Sequence, residues 1–590
     1  MLLSIVALFA LCNALASAQQ VSRYDYIVVG AGTSGLVVAE RLSENSAITV
    51  AIIEPGESVL NNTNVTSPTG YGLAFGTAID WQYESVPQVY AGNKPQVLRA
   101  GKAVGGTSTI NGLNYVRAQD VQIDAWEQLG NDGWNWASLL PYYKKSEYFQ
   151  IPDAAQRADG ANYDPSYHGY SGPQKVGWTN EMMSGTWAAE VNASFANLGL
   201  PYNPDENSGQ TRGFTVRPYM VDQAEDVRAD TARAFYWPNA NRPNLSLFTG
   251  TTAEKIIWAN TTNTTAGSKP TAAGIEVVSA GGQRRTIYAN KEVILSAGAL
   301  RSPLILEYSG VGNPAILQKY GIKVVVSLPT VGENLQDEPS STMSFSANAS
   351  FNGSGPYGGY ADVSDVFGNS TAQLNATVAS SLNDYAKKVS QQSNGTVTTA
   401  VLEKLFGIQY DLIFKEAVPI TELIVSLYGS TILMSYWGML PFARGNIHIT
   451  SGNASELGAI NPNYFMLDYD VQQHVGSARL ARKVPNTAPL SSVMIKETYP
   501  GLSRVPANAS DDVWFDFIKQ TYRSNFHAVG TAAMMSQDLG GVVDSNLLVY
   551  GTSNVRVVDA SVVPFQVCGH SVSTLYAVAE KAADAIKAAQ

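Results

Sequence analysis

The chain is short of charge, of cysteine and of histidine. Charged residues fill 15% of its 590 positions, against roughly 25% in ordinary soluble domains. Asp+Glu outnumber Lys+Arg by 49 to 38, a net charge of −11, and no basic run interrupts that balance. This excludes nucleic acid and other polyanions as partners. Of the two cysteines, Cys12 falls in an N-terminal leader and Cys568 is left alone, so no intrachain disulfide staples the mature protein. A hydrophobic core must do the stabilising, and 45% hydrophobic with 10% aromatic residues supplies it. The same content excludes disorder over most of the length. No histidine pair has ligand spacing, so no metal is expected. At about 150 residues per domain the length fits four units, or equally two large interleaved ones.

Residues 1–18 read as a signal peptide, with an apolar run from Leu2 to Leu11 and a small-residue end, Ala16-Ser17-Ala18. The run is too short to span a bilayer comfortably. A secreted, extracellular protein with no membrane partner is the expectation. Sequons at Asn61, Asn192, Asn348, Asn375 and Asn508, with the Asn/Thr-rich stretch Asn260 to Thr265, predict a glycoprotein.

Tyr26-Ile27-Val28-Val29 is a short β-branched run that enters Gly30-Ala31-Gly32-Thr33-Ser34-Gly35 and then a helical pattern from Leu36 to Leu42. A second apolar run, Ile48 to Ile53, ends at Glu54. Strand, glycine turn, helix, strand and acid form a dinucleotide-binding fingerprint. Gly30 permits the sharp turn, Gly32 lets backbone approach a pyrophosphate, and Gly35 allows close helix–strand packing. Thr33 and Ser34 open the helix, whose free N–H groups attract anions. Glu54 is placed to accept hydrogen bonds from a ribose. The fingerprint does not separate FAD from NAD, and no second complete copy exists for a nicotinamide enzyme with two dinucleotides.

Two further glycine-rich segments, Gly101 to Gly112 and Ala297 to Gly312, resemble the signatures of the glucose–methanol–choline (GMC) flavoenzyme family. The likeness continues through Val331 to Asp337, Asn525 to Thr531 and Val557 to Pro564, and spans the mature chain. Within the family, Gly70 to Gly76, Arg523 to His527 and Phe565 to His570 look most like fungal secreted FAD-dependent glucose dehydrogenases, with glucose oxidases next. The resemblance implies α/β plus α+β architecture: a discontinuous Rossmann-like FAD-binding domain (19–75, 235–335 and 538–590), a FAD lid and interface region (76–144), and a substrate-binding domain with an antiparallel sheet backed by helices (145–234 and 336–537). Apart from the resemblance, 347–394 reads as loops and surface helices, Ala400 to Phe414 and Ser573 to Ala588 as helices, and Gly445 to Thr450 as a strand.

Alcohol oxidation needs a base for the hydroxyl proton while the carbon loses hydride, and imidazole suits neutral pH. Of five histidines, His168, His448 and His474 read as structural. The resemblance implies His527 and His570 as the catalytic pair, His527 as base and His570 as its partner, with the roles open to exchange. Arg523 and Asn525, two residues apart and aligned with His527 on one face of an extended segment, would read sugar hydroxyls, as would Tyr71. Where the resemblance to glucose dehydrogenases implies a glutamate before Trp437, Ser435 stands, so a carboxylate for sugar hydroxyls is expected to be missing. That weakens glucose affinity or shifts preference to xylose, a polyol or another alcohol. Gly105, Gly106, Thr107 and Asn111 would hold the inner cofactor and Ala253 the adenine side, while Asp559 serves either the flavin end or a helix cap. Family members that bond FAD covalently use a histidine in this Gly-Gly segment, and none lies between Thr107 and Asn111, so the resemblance implies non-covalent FAD. The expected activity is oxidation of an aldose, D-glucose first, to its lactone, with electrons passed to a quinone or artificial dye, by a monomer or homodimer. An oxygen-using oxidase and a non-catalytic sugar-binding flavoprotein are the rivals.

Overall fold

The computed structural model describes residues 22–259 and 268–589. The leader, Cys12 and the Asn260 to Thr265 stretch lie outside the described residues. In chain order the elements used below are β1 (Arg23–Val29), α1 (Thr33–Ser43), β2 (Val50–Ile53), β3 (Gly213–Val216), β4 (Leu245–Phe248), β5 (Thr251–Trp258), β6 (Ala272–Ser279), β7 (Arg284–Leu295), α2 (Ser302–Tyr308), β8 (Pro339–Phe351) and β9 (Tyr357–Ala361). There follow β10 (Thr421–Gly438), α3 (Asp468–Lys483), β11 (Met494–Tyr499), β12 (Arg523–Ser524), β13 (Val555–Val557) and α4 (Val572–Ala588).

Two sheets organise the molecule. The first has the order β4-β2-β1-β7-β6-β5, with β13 added beside β7. Its centre is parallel: β1 pairs β2 and β7, β2 pairs β4, and β7 pairs β13. β2 is buried along its whole length and β1 from Tyr26 onward, as strands covered on both faces must be. Long β7 serves two neighbours on one edge, antiparallel β6 along its first half and parallel β13 along its last three residues. α1 packs against this sheet and α4 packs against α1, through apolar faces that include Leu36, Val37, Tyr576 and Ala577.

The second sheet runs β11-β8-β10-β9-β3, with β12 pairing the start of β8. β10 cannot be straight: at about 3.3 Å per residue its ends would lie tens of ångströms apart, yet Met439 N donates to Ile420 O at 2.8 Å and Thr421 Oγ1 to Trp437 O at 2.8 Å. It doubles back near Gly429, where φ is +54°, and brings Glu422 and Trp437 onto neighbouring rungs.

The expectation of loops and surface helices over 347–394 needs correction. The stretch holds the tail of β8, all of β9 and a 22-residue helix, Thr371–Gln392. β9 is buried throughout. Its glycines escape a simple hydrophobic reading because they are chosen for room: a Cβ on Gly358 would stand 1.7 Å from Arg217 Nη2, and one on Gly359 2.2 Å from Phe195 Cε1. The helices Thr399–Phe414 and Val572–Ala588 and the strand Asn446–His448 lie where periodicity puts them. Asn61, Asn348 and Asn508 are exposed, whereas Asn192 sits inside a helix with its Oδ1 buried.

Candidate active site

The first glycine turn is built as its residues demand. Gly30 has φ +108°, and a Cβ there would meet Ser296 O at 2.3 Å; on Gly35 it would meet Gly30 O at 2.0 Å. The second glycine segment closes onto the first: Gly106, at φ +54°, lies so near Gly32 that an added Cβ would stand 2.6 Å from its Cα. Gly105, at φ +112°, leads into the tight turn Gly106–Thr109. Buried Arg228 braces this segment through Ser108 O, Asn111 O and Asn111 Oδ1, the last at 2.7 Å.

Beside these turns opens a cleft with about 1170 Å³ of empty space, walled by Gly30, Gly32, Thr33, Ser34, Glu54, Gly106, Thr107 and Ala253, and also by Phe526, His527, Asp559 and Ala560. Two of its buried hydroxyls, Ser34 Oγ and Ser296 Oγ, have no hydrogen-bond partner in the protein, so they are left for a bound group. A glycine-lined helix start, orphaned hydroxyls and a long cleft fit a dinucleotide. Glu54 accepts from Ala31 N at 2.9 Å and Gly56 N at 2.8 Å, and burial pushes its carboxyl up to about 7. It therefore ties the end of β2 to the glycine turn as well as facing the cleft. Gly35 and Gly105 support the wall from behind, and Asn111 spends its oxygen on Arg228 and Leu113 N.

Asp559 resolves toward the cap. Its carboxylate accepts from Ser561 N at 2.8 Å, Ser561 Oγ, Gly298 N at 2.8 Å and Ser302 Oγ at 2.5 Å. That caps the turn Ala560–Val562 and joins it to the start of α2.

His527 and His570 converge, their ring centroids 5.2 Å apart and the planes at 87°. Their side chains keep 14% and 16% exposure, enough for a small molecule to reach them. Backbone pairing places the first: residues 523–529 run antiparallel to 336–340, with Asn525 N bonded to Glu338 O and Val529 N to Gln336 O. Phe526 interrupts this ladder with φ +66°, a strained value for an aromatic residue. His527 Nδ1 then lies 2.7 Å from Glu338 Oε2, and its backbone N donates to Asp337 Oδ1 at 2.9 Å. His570 follows Gly569, which adopts φ +73° against Val116. Its Nε2 lies 3.1 Å from Glu422 Oε1 and 3.5 Å from Arg217 Nη1, and its ring meets Trp437 edge-on.

Burial pushes both imidazoles down, but the Glu338 hydrogen bond and charge outweigh it at His527, whose pKa is raised. At His570 burial prevails over Glu422, helped by His527 and Arg217, and the pKa is lowered. Glu338 is pushed up by burial despite His527. Burial also opposes the charge on Glu422, yet His570 and Arg217 hold that carboxyl at about 2.

The supposed missing carboxylate is a correction. Glu422, thirteen residues before Ser435, stands at the histidine pair because β10 folds back, while Ser435 is half-buried and registered against Thr342. The shared face expected for Arg523, Asn525 and His527 is only partly formed. Asn525 Nδ2 joins His527 at 3.2 Å and Glu338 at 3.3 Å, but the turn at Phe526 breaks the alternation and Arg523 lies over the Phe526 ring. Tyr71, 49% exposed, belongs to a run of edge-to-face rings with Phe75 and Phe526. The other histidines hold structure: His168 between Glu147 and Asp205, His448 between Glu307 and Glu333, and His474 on Ser341 Oγ. Sequence reasoning missed Glu338, Glu422 and Arg217, together with Trp81, Tyr83 and Arg301 on the cleft wall.

Models of the GMC oxidoreductase family match residues 24–340 and 441–579. The glucose oxidase-like protein fsoC of Humicola fuscoatra is 45% identical over 576 residues, 97% of each chain. Glucose oxidase 2 of Penicillium expansum is 35% identical over 96% of this chain and 92% of that one. Among solved structures, an FAD-dependent oxidoreductase from Chaetomium thermophilum superposes with a TM-score of 0.84 at 28% identity, covering 96% of this chain and 99% of the other. A fungal aryl-alcohol oxidase gives 0.83 at 25% identity over the same shares. A parallel sheet with a glycine-clasped cleft, a strand of the antiparallel sheet that leads into His527 on the cleft wall with His570 beside it, and matches along almost the whole length lead to one conclusion: the chain belongs to the GMC oxidoreductases, FAD-dependent enzymes that act on CH–OH groups.

Proposed function

We propose that the protein oxidises an aldose, D-glucose first, at the anomeric carbon to the lactone, with His527 as the base. The observation that carries this is the pair of imidazoles 5.2 Å apart, each on its own buried carboxylate, beside the cofactor cleft. Nδ1–H of His527 donates to Glu338, which leaves Nε2 with its lone pair free to take the hydroxyl proton. His570, bonded through Nε2 to Glu422, keeps Nδ1 for the same oxygen. Arg523, Asn525 and Tyr71 border this spot as candidates for reading the remaining hydroxyls, and Trp437 offers an apolar face. Gly30, Gly32, Thr33 and Ser34 would hold the pyrophosphate of FAD with Gly35 behind them, Glu54 the ribose, Ala253 the adenine side, and Gly106 and Thr107 the inner part, backed by Gly105 and Asn111. FAD, when bound, supplies the redox chemistry by accepting hydride from the carbon. His527 is the one imidazole among the residues that wall the cleft, and it is taken up with Glu338, which supports non-covalent attachment.

Two acceptors divide the reading. A quinone or dye acceptor follows from the likeness of the site motifs to glucose dehydrogenases; relatives named glucose oxidases favour oxygen. Peroxide release compared with dye reduction, on the same sugar, decides between them. Secretion and glycosylation belong to the same reading, supported by residues 1–18 and by the exposed sequon asparagines; no helix among the described residues is long and apolar enough to cross a membrane.

Anaerobic flavin bleaching with a panel of aldoses and simple alcohols tests the substrate. Replacing His527 with Ala should slow flavin reduction at least about a hundredfold, and near-native reduction in that variant would remove His527 from the role.

A further inference from the structure

The two carboxylates behind the histidines are not equivalent. Glu422 Oε1 is shared: Arg217 Nη1 stands 2.5 Å away and His570 Nε2 3.1 Å. Arg217 also reaches His570 at 3.5 Å and Glu206 at 3.5 Å. The negative charge beside His570 is thus neutralised by a guanidinium that itself opposes a second cation. Glu338 is different. It is fully buried, and among the described residues no arginine or lysine pairs with it. Its Oε2 receives His527 Nδ1 at 2.7 Å and Asn525 Nδ2 at 3.3 Å, while Oε1 has no partner.

We propose that Glu338 is a positioning residue that makes His527, and not His570, the proton acceptor: it fixes the Nδ1–H tautomer and directs an undivided negative charge at the ring. The inference rests on the reading of His527 as a base and settles which ring of the pair does the work. In the step itself the substrate O–H bond breaks, an N–H bond forms at Nε2, and the imidazolium is held by the carboxylate already bonded to Nδ1. A carboxylate in this place orients the ring and stabilises its cation without taking the proton, as in serine hydrolase triads.

The groups that face His527 are Glu338 on Nδ1, Asp337, whose Oδ1 accepts from the His527 backbone N, His570 across the gap, Glu422 and Arg217 beyond His570, and Arg523 over the neighbouring Phe526 ring. Three are carboxylates, one of them bonded to the His527 ring itself, while Arg217 bonds on the His570 side, which agrees with a raised pKa at His527 and a lowered one at His570. A base works deprotonated, so the rate of substrate oxidation rises with pH through the pKa of His527 and its acid limb lies above the ordinary imidazole value.

The test is histidine-selective 15N NMR on the FAD-loaded protein without substrate, with rings assigned by His527→Gln and His570→Gln, alongside the pH profile of single-turnover flavin reduction. In the wild type His527 should titrate above His570; the reverse order overturns the proposal without any change at Glu338. Glu338→Gln should lower the His527 titration by about one to three pH units, the usual effect of one close opposite charge, and carry the acid limb down with it. Glu338→Asp should restore part of the shift. A His527 titration that stays put in Glu338→Gln overturns the proposal; should that variant fail to fold, the wild-type order of the two titrations decides it. Because titration is read without substrate, failure to oxidise any aldose counts against the substrate assignment and not against the order of the two rings.

Discussion

At the residue scale, the glycines and the histidines differ in how openly they declare themselves. Gly106 is required twice, by a backbone at φ +54° and by the 2.6 Å approach of its missing Cβ to Gly32. Gly106→Ala is therefore expected to cost about 1–2 kcal/mol from the left-handed backbone alone, and more from pushing the two glycine turns apart. The outcome is FAD loss, read as a fall in flavin absorbance per protein and a lower Tm; full FAD content in a folded variant would sink the clasp. Such glycines are legible because the demand is local and spaced by the turn. Glu338 and Glu422 are not. The one adjoins the family run at Asp337, the other opens β10, and each meets its histidine across 189 or 148 residues of chain. Nothing within a window of sequence distinguishes them from any other carboxylate, since their chemistry lies in burial and partners.

At the element scale, two strands behave against their composition. Gly-rich β9 is a buried strand because its neighbours fill the space its side chains leave, and β10 is a folded pair of arms that turns at Gly429. Ion pairs also act at this scale. His448 joins the end of α2 at Glu307 to the turn at Glu333, with Nδ1 and Nε2 at 2.8 and 3.2 Å from the two carboxylates. Burial pushes this imidazole down, but the two glutamates prevail and raise it to about 10. A raised histidine pKa contributes stability that is whole below about 6.5, the unfolded value, and is lost as pH climbs through about 10. Melting curves across pH 6 to 10 should show that decline in the wild type. His448→Gln should flatten it and lower stability near pH 6 by a few kcal/mol, at ~1.4 kcal/mol per pKa unit. Parallel curves for the two proteins would exclude the triad as its source.

At the scale of the whole molecule, the cleft walls come from stretches as far apart as Gly30, Ala253, Ser296, His527 and Ser571. FAD binds the folded arrangement and has no comparable site in the unfolded chain, so removing it should lower Tm, and titrating it back should raise stability by about 2.7 kcal/mol at a hundredfold excess over Kd. Equal melting of apo and holo protein would refute a cofactor held across these stretches. The same assembly marks the boundary between sequence and structure. The sequence by itself determined the dinucleotide turn, the two histidines and the family, because each rests on residue types at short spacing or on long similarity. Tertiary structure alone decided that β10 doubles back, that Glu422 stands at His570, that Phe526 breaks the alternation just before His527, and that Asp559 caps a turn. Those outcomes depend on strand register and on which charges share a buried space, and such quantities exist only once distant segments have packed.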